Sequence, residues 1–152
     1  MHPLTESATM WTDRRLVMRP SQIHGLGVFA TDPIQTGERL FWVTGGLVYT
    51  TDDWKSGRVQ LDGEQYNETQ IGPDLFVATP KGPYYYVNHS CDPNELNGIA
   101  VRAIQAGEEI TSDYAYAEAS PNYVLGPCRC GTRRCRGQVT GNDWRIQALQ
   151  HR

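Results

Sequence analysis

The sequence predicts one domain of mostly β structure with short helices. Its 152 residues are the length of a single domain. Fifteen glycines and nine prolines are spread along the chain, which favours many short strands with tight turns over long helices. No apolar run approaches the roughly 20 residues that a membrane-spanning helix needs, so no membrane association is expected.

The predicted strands are short apolar runs between turn residues. Residues 15–18 and 28–30 flank a glycine-rich turn, and residues 37–43 leave a second turn as a strand. Residues 47–49 follow a pair of glycines. The remaining strands or extended segments are predicted at residues 75–78, 84–87, 99–104 and 109–112.

Two short helical segments are predicted beside these strands. Residues 52–57 are compatible with a helical turn, and residues 143–150 with a short terminal helix. The stretch from residue 50 to residue 72 is otherwise polar with scattered apolar side chains, and no strand is predicted there.

The charge pattern argues against a nucleic-acid partner. The net charge is −3, so the molecule as a whole does not attract a polyanion. Four arginines surround the last cysteines, and we interpret them as a solvated basic rim: Arg129, Arg133, Arg134 and Arg136. Residues 1–13 lack the basic and then apolar pattern of a signal peptide, which favours a cytoplasmic or nuclear protein in a reducing compartment.

The four cysteines have the layout of a metal site. Cys91 lies in the middle of the chain, whereas Cys128, Cys130 and Cys135 lie close together near its end. Four thiolates form a complete tetrahedral shell for Zn²⁺, and such a site would tie the C-terminal tail to the centre of the domain. Two disulfides are the alternative, since the number of cysteines is even.

Four segments together resemble the SET-domain protein lysine methyltransferases. Residues 25–30 (GLGVFA) resemble the first glycine motif of that family, and residues 88–94 (NHSCDPN) its central Asn-His motif. Residues 108–114 (EEITSDY) resemble the segment that ends in the catalytic tyrosine. Residues 128–137 (CRCGTRRCRG) resemble the post-SET zinc motif. The four segments stand in the order of the family, and the resemblance covers residues 15–144.

The resemblance implies a fold and a domain division. The expected fold consists of small sheets with a knot-like C-terminal segment and a zinc-bound post-SET tail. The division is an N-terminal extension at residues 1–14, the SET domain at residues 15–118 and the post-SET tail at residues 119–152. The larger zinc-rich region that precedes the domain in many relatives has no counterpart before Arg15.

The resemblance also implies a cofactor, S-adenosyl-L-methionine, or its product S-adenosyl-L-homocysteine. Glycine allows the backbone to approach a ligand closely, and an asparagine amide suits the zwitterionic end of this cofactor. By resemblance the backbone of His89 meets the adenine, and the tail near Val139 completes the pocket. The residues implied in cofactor binding are Gly25, Leu26, Gly27, Asn88, His89 and Val139.

Tyr114 is the catalytic residue that the resemblance implies. Methyl transfer to lysine is an in-line displacement by a neutral amine, so the enzyme mainly aligns the reacting atoms and excludes water. A tyrosine hydroxyl orients these groups by hydrogen bonding. The substrate channel is assigned to Tyr86, Ser112 and Tyr116. Relatives often have Phe or Tyr where this chain has Ser112, and Tyr where it has Val43, so the number of methyl groups added stays open.

The expected function is therefore methyl transfer from S-adenosylmethionine to a protein lysine, with a histone H3 tail as the expected substrate. Minimal forms of such enzymes occur in bacteria and viruses, which leaves open a bacterial substrate or delivery to a host cell. The alternative from another class is a SET-fold module that has weak catalysis and binds a peptide. A zinc-ribbon nucleic-acid binder fits poorly, because its cysteines would form two pairs.

Overall fold

The computed structural model describes residues 8–151, and most of its regular structure is short β strand. The strands are β1 Thr9–Thr12, β2 Leu16–Pro20, β3 Leu26–Ala30, β4 Phe41–Thr44, β5 Leu47–Tyr49, β6 Tyr66–Gly72, β7 Leu75–Pro80, β8 Asn88–His89, β9 Glu95–Leu96, β10 Ile99–Ala100, β11 Glu109–Ser112, β12 Val124–Leu125 and β13 Val139–Thr140. The α helices are α1 Thr51–Lys55 and α2 Gln147–Gln150, and 3₁₀ helices cover Pro83–Tyr86, Tyr114–Tyr116 and Asp143–Arg145. This confirms the predicted fold class, mostly β with short helices.

The strands form several small sheets around one main core. The largest sheet has the order β2-β3-β11-β8, in which β11 runs antiparallel to β3 and parallel to β8. A three-stranded sheet, β5-β7-β6, lies beside it, with its own small core. The main core consists of apolar side chains from the strands and the turns between them: Val28, Ala30, Ile34, Leu40, Phe41, Val87, Ala100, Ile104 and Ile110.

The parallel pair β8–β11 determines where the polar motifs meet. Thr111 pairs with Asn88, and Ser112 pairs with His89. The central Asn-His motif and the segment before Tyr114 are therefore neighbours on adjacent strands. β11 also pairs with β3, and these two strands are antiparallel. The glycine segment at the start of β3 therefore lies beside the end of β11 that leads to Tyr114.

Three predicted elements differ from the observed structure. Residues 84–87 were expected to be extended, but Pro83 begins a 3₁₀ helix there, because its fixed φ suits the first helical position. The predicted strand at residues 99–104 ends at Ala100, and Ile104 forms only an isolated bridge with Ile34. The terminal helix is interrupted at Ile146, which is extended.

Six strands were not predicted: β1, β6, β8, β9, β12 and β13. β6 lies in the polar stretch from residue 50 to residue 72, and it forms because it pairs with the more apolar β7. β1 pairs with β4 and lies in the predicted N-terminal extension, of which residues 1–7 are outside the described part of the chain. Among residues 8–151, no helix has the length and apolar character required to span a bilayer.

Candidate functional site

A cavity of about 680 Å³ brings residues of all four sequence motifs together. The glycine segment, the Asn-His motif and Tyr114 all contribute to its wall, and the tail closes one side. Its lining residues are Ile23, His24, Gly25, Leu26, Tyr85, Tyr86, Asn88, His89, Tyr114, Leu125, Gly126, Pro127, Cys128 and Arg129.

The glycine segment is shaped by its two glycines. Gly25 has a φ of 46°, in the left-handed region that side chains with a Cβ rarely occupy. A Cβ on Gly27 would collide with the carboxylate of Glu109 and approach Ser21. Gly27 is therefore needed so that Glu109 can lie under the segment, although Gly27 itself does not line the cavity.

Asn88 holds the glycine segment in place through its amide. Its Nδ2 donates to the carbonyls of His24 and Leu26, both at 3.1 Å, and to Glu109 Oε1 at 2.8 Å. Glu109 also accepts from the hydroxyl of Ser21 at 2.8 Å. Among residues 8–151, no hydrogen bond involves Asn88 Oδ1, so this acceptor is available to a ligand in the cavity.

Tyr114 begins the 3₁₀ helix that follows β11, and it lies on the cavity wall. Its hydroxyl donates to the carbonyl of Val87 at 2.8 Å. Burial, together with the nearby Tyr123, raises the pKa of Tyr114 to about 12. The phenol is therefore neutral at physiological pH, and it can act as a donor or as an acceptor of hydrogen bonds.

The four cysteines converge beside this cavity. The sulfur atoms of Cys91, Cys128, Cys130 and Cys135 all lie within 4.8 Å of one another, and Cys91 is buried. The Cys91 and Cys128 sulfurs are 3.9 Å apart, far from the roughly 2.05 Å of a disulfide but close to the roughly 3.8 Å that follows from a tetrahedron with Zn–S bonds of about 2.3 Å. These thiols could hold a metal ion, and the geometry disfavours the disulfide alternative.

His89 links the cysteine cluster to Tyr114. Its Nδ1 accepts from the backbone N–H of Tyr114 at 3.2 Å, so the ring proton belongs on Nε2, which lies 3.2 Å from the Cys91 sulfur. Burial lowers the pKa of His89, although the nearby Asp113 opposes the shift, and this favours the neutral ring. The histidine thus donates toward the sulfur of Cys91 and supports the backbone at Tyr114.

Arg136 forms a buried ion network that the sequence did not predict. Its guanidinium contacts both carboxylate oxygens of Asp113 at 2.7 and 2.8 Å, and its Nε contacts Asp143 at 2.8 Å. Asp113 directly precedes Tyr114 and is fully buried. The backbone N–H of Arg136 also donates to the Cys91 sulfur at 3.3 Å. Arg136 therefore links the cysteine cluster to Asp113 and to the terminal segment at Asp143. It does not belong to the solvated basic rim that the sequence predicted.

Replacing Arg136 with leucine is expected to lower the free energy of unfolding by about 3–5 kcal/mol, because it leaves buried carboxylates without their cation. Arg134→Leu is the matched control: its side chain is 63% exposed and lies 3.4 Å from Asp92, so its loss should cost less than about 1 kcal/mol. Urea unfolding of both variants measures the difference. Equal midpoints would show that the network does not stabilise the tail.

Three other residues predicted for the site lie outside the cavity wall. Val139 is fully buried in β13, and Leu125, its partner in β12, lines the cavity instead. The hydroxyl of Tyr116 donates to the carbonyl of Leu149 at 3.0 Å and so ties α2 to the domain. Ser112 is half-buried and is the last residue of β11.

Comparison with known proteins gives a family match and individual relatives. A family model for the SET domain matches residues 25–115. The chain is 33% identical over 143 residues, 83% of its length, to a histone-lysine N-methyltransferase of Schizosaccharomyces pombe described as H3 lysine-4 specific. It is 31% identical over 132 residues, 76% of its length, to human histone-lysine N-methyltransferase 2B. It is 41% identical over 76 residues, 42% of its length, to the histone-lysine N-methyltransferase ash1 of Drosophila melanogaster.

These relatives are much longer proteins. The chain spans 15% of the Schizosaccharomyces pombe protein, 5% of the human protein and 3% of the Drosophila protein. The similarity therefore concerns the domain that carries the cavity and the cysteine cluster.

Proposed function

This chain belongs to the SET-domain family, and from that premise we propose that it transfers methyl groups from S-adenosylmethionine to a lysine side chain of a protein, with histone H3 as the first candidate. The observation that carries the proposal is the cavity that joins the glycine segment, Asn88, His89 and Tyr114 beside the cysteine-rich tail. The Schizosaccharomyces pombe relative described as H3 lysine-4 specific supports the choice of substrate.

The cavity residues fit the cofactor by their chemistry. S-adenosylmethionine supplies an electrophilic methyl group on a sulfonium. The free acceptor Asn88 Oδ1 suits an α-ammonium group, and the backbone of Gly25 and Leu26 can approach a ligand closely. The apolar side chains of Ile23 and Leu125 suit a flat, weakly polar base.

Tyr114 would position the reacting groups. Its neutral hydroxyl can accept from the amine of the substrate, and its ring shields the reaction position from water. Because the attacking amine must be neutral, and free lysine has a pKa of about 10.4, we expect the rate to rise with pH while the fold is stable. Tyr86 and Tyr85 would form the aromatic wall of the approach for the lysine.

We further propose that the four cysteines bind one Zn²⁺ ion. Two backbone N–H groups already point at the sulfurs, from Arg136 to Cys91 at 3.3 Å and from Gly137 to Cys135 at 3.4 Å. Such donors stabilise thiolate charge, as expected of a structural metal site.

Incubation with radiolabelled S-adenosylmethionine and a panel of purified histones and cell proteins tests the function. We expect label on a lysine, located by peptide mass spectrometry, and loss of labelling when that lysine is replaced with arginine. A folded, zinc-loaded protein that binds peptides and labels none of them would favour the peptide-binding module instead.

A further inference from the structure

Glu109 is a half-buried carboxylate to which the proposed reaction assigns no role. It lies in β11 and accepts from the Ser21 hydroxyl with both oxygens, at 2.8 and 2.9 Å, and from Asn88 Nδ2 at 2.8 Å. Both donors are neutral groups, and no ion pair among residues 8–151 includes Glu109. A partly buried charge is normally paired, so this carboxylate is suited to a cation from outside the protein.

The register of the main sheet explains why these groups meet. Glu109 pairs with Phe29 of β3, and Thr111, two residues further along β11, pairs with Asn88 of β8. Side chains alternate along a strand, so Glu109 and Asn88 project from the same face of the sheet. Gly27 is two residues before Phe29 and belongs to that face as well. Because Gly27 has no side chain, the carboxylate of Glu109 has room to lie beside the glycine segment.

The contacts of Glu109 help to fix the orientation of the Asn88 amide. Nδ2 faces three acceptors, which are Glu109 Oε1 and the carbonyls of His24 and Leu26. Turning the amide over would place Oδ1 against these three acceptors, so only one orientation is compatible with hydrogen bonding. The unbonded atom is therefore Oδ1. It is not fully buried, since within residues 8–151 the fully buried side-chain polar atom without a partner belongs to Glu95.

The wall of the cavity contains no carboxylate for a cationic ligand. Among the described residues that line it, Arg129 is the one with a permanent charge, and that charge is positive. Glu109 lies directly behind Asn88. An ammonium group bound to Asn88 Oδ1 would be within about 8 Å of the Glu109 carboxylate, given ordinary hydrogen-bond lengths. Water screens charges less in a partly enclosed site than on an open surface, so the two would attract each other.

We propose that Glu109 is the positioning residue of an ammonium subsite in the cavity. It holds the Asn88 amide with Oδ1 toward the ligand, and it supplies the negative charge that attracts the α-ammonium group of S-adenosylmethionine. The inference rests on the proposed function. Glu109 acts through Asn88 and does not line the cavity itself. The same role explains Gly27, which does not line the cavity either but leaves the space that the carboxylate occupies.

Glu109→Gln is the direct test, because glutamine keeps the shape of the side chain and removes its charge. The two probes are S-adenosylhomocysteine and its desamino analogue, in which hydrogen replaces the α-amino group. We expect the variant to bind S-adenosylhomocysteine about tenfold more weakly and the analogue within about twofold of the wild-type affinity. Competition calorimetry on zinc-loaded protein measures both affinities.

Glu68→Gln is the matched control for the loss of one carboxylate. Glu68 accepts from the hydroxyl of Tyr49 in the three-stranded sheet, and neither residue lines the cavity. This variant should bind both probes as the wild type does. Ser21→Ala is the comparison for a structural effect, because it removes a hydroxyl that holds the turn at Ile23 and keeps the charge of Glu109. It should weaken the two probes by the same factor.

Methylation kinetics give a second measurement. An ammonium group binds its subsite equally in the ground state and in the transition state, so the charge of Glu109 affects cofactor binding and not the chemical step. We expect Glu109→Gln to raise KM for S-adenosylmethionine about tenfold and to keep kcat at saturation within about threefold of the wild type.

The outcomes separate this role from a structural one. Equal loss of affinity for both probes in Glu109→Gln would show that Glu109 only supports the glycine segment, and would overturn the proposal. Unchanged affinity for S-adenosylhomocysteine would also overturn it and leave the proposed function standing. If the variant does not fold, the wild type decides, because equal affinity for the two probes would exclude an ammonium subsite. A folded, zinc-loaded wild-type protein that binds neither probe would overturn the proposed function as well.

Discussion

Replacing Tyr114 with phenylalanine is expected to abolish lysine methylation, or to reduce kcat at least about 100-fold, and to leave the fold intact. The change removes one hydroxyl and keeps the ring, so the wall of the cavity retains its shape. The physical reason is alignment, because misplacing reacting groups by about 1 Å costs on the order of 100-fold in rate. The lost hydrogen bond to the carbonyl of Val87 should cost only about 1 kcal/mol of stability.

Tyr116→Phe is the matched control for this experiment. Tyr116 is two residues further along the chain, and its hydroxyl donates to the carbonyl of Leu149 rather than lining the cavity. We expect it to lose a similar amount of stability and to keep most of its activity. A Tyr114→Phe protein that methylates its substrate at the wild-type rate would show that the active site has been assigned to the wrong residue.

Removing the metal is expected to have the second large effect. Cys91→Ser, or a strong chelator, should release the zinc and detach the tail, because within residues 8–151 Cys91 is the one member of the cysteine cluster that lies outside the tail. Leu125, Pro127 and Cys128 form one side of the cavity, so the affinity for S-adenosylhomocysteine should fall at least about tenfold.

Elemental analysis, limited proteolysis and calorimetry measure these effects. We expect one zinc per chain in wild-type protein that was purified without chelator, and rapid cleavage within the tail after zinc removal. Thr132→Ala is the control for Cys91→Ser. It removes only a hydroxyl 3.4 Å from the Cys130 sulfur, so this variant should keep the metal. A zinc-free wild-type protein with a protected tail and full cofactor affinity would contradict the assignment.

The elements that the sequence predicted best are those whose characteristic residues lie close together along the chain. β3 is a short apolar run, and Val28 and Ala30 from it are fully buried. The cysteine cluster was predictable because three of its four members lie within eight residues of one another. The glycine segment, the Asn-His motif and the tail were assigned to one cofactor pocket through the family resemblance; residues of all three line one cavity together with Tyr114, although Val139 does not.

The elements that were missed depend on contacts between distant residues. β6 (YNETQIG) is largely polar and becomes a strand only because β7 pairs with it. The helical geometry at residues 84–86 follows from Pro83, which outweighs the tendency of three tyrosines to be extended. Pro83 was visible in the sequence, so this error was avoidable.

The spacing of charged residues along the chain does not predict which of them are buried. Asp113 and Arg136 are 23 positions apart, and an arginine that follows the last cysteine looks like any solvated residue until the tail packs against Asp113. Glu95 follows the motif residue Asn94, and only the pairing of its strand with the rest of the domain shows that it is fully buried.

The central claim is that the cavity beside Tyr114 holds S-adenosylmethionine, and calorimetric titration of the zinc-loaded protein tests it most directly. We predict saturable binding of one molecule of S-adenosylmethionine or S-adenosylhomocysteine per chain, and at least about tenfold weaker binding by Asn88→Ala, which loses both the free acceptor and the anchor of the glycine segment. A folded, zinc-loaded wild-type protein that binds neither compound at millimolar concentration would contradict the account.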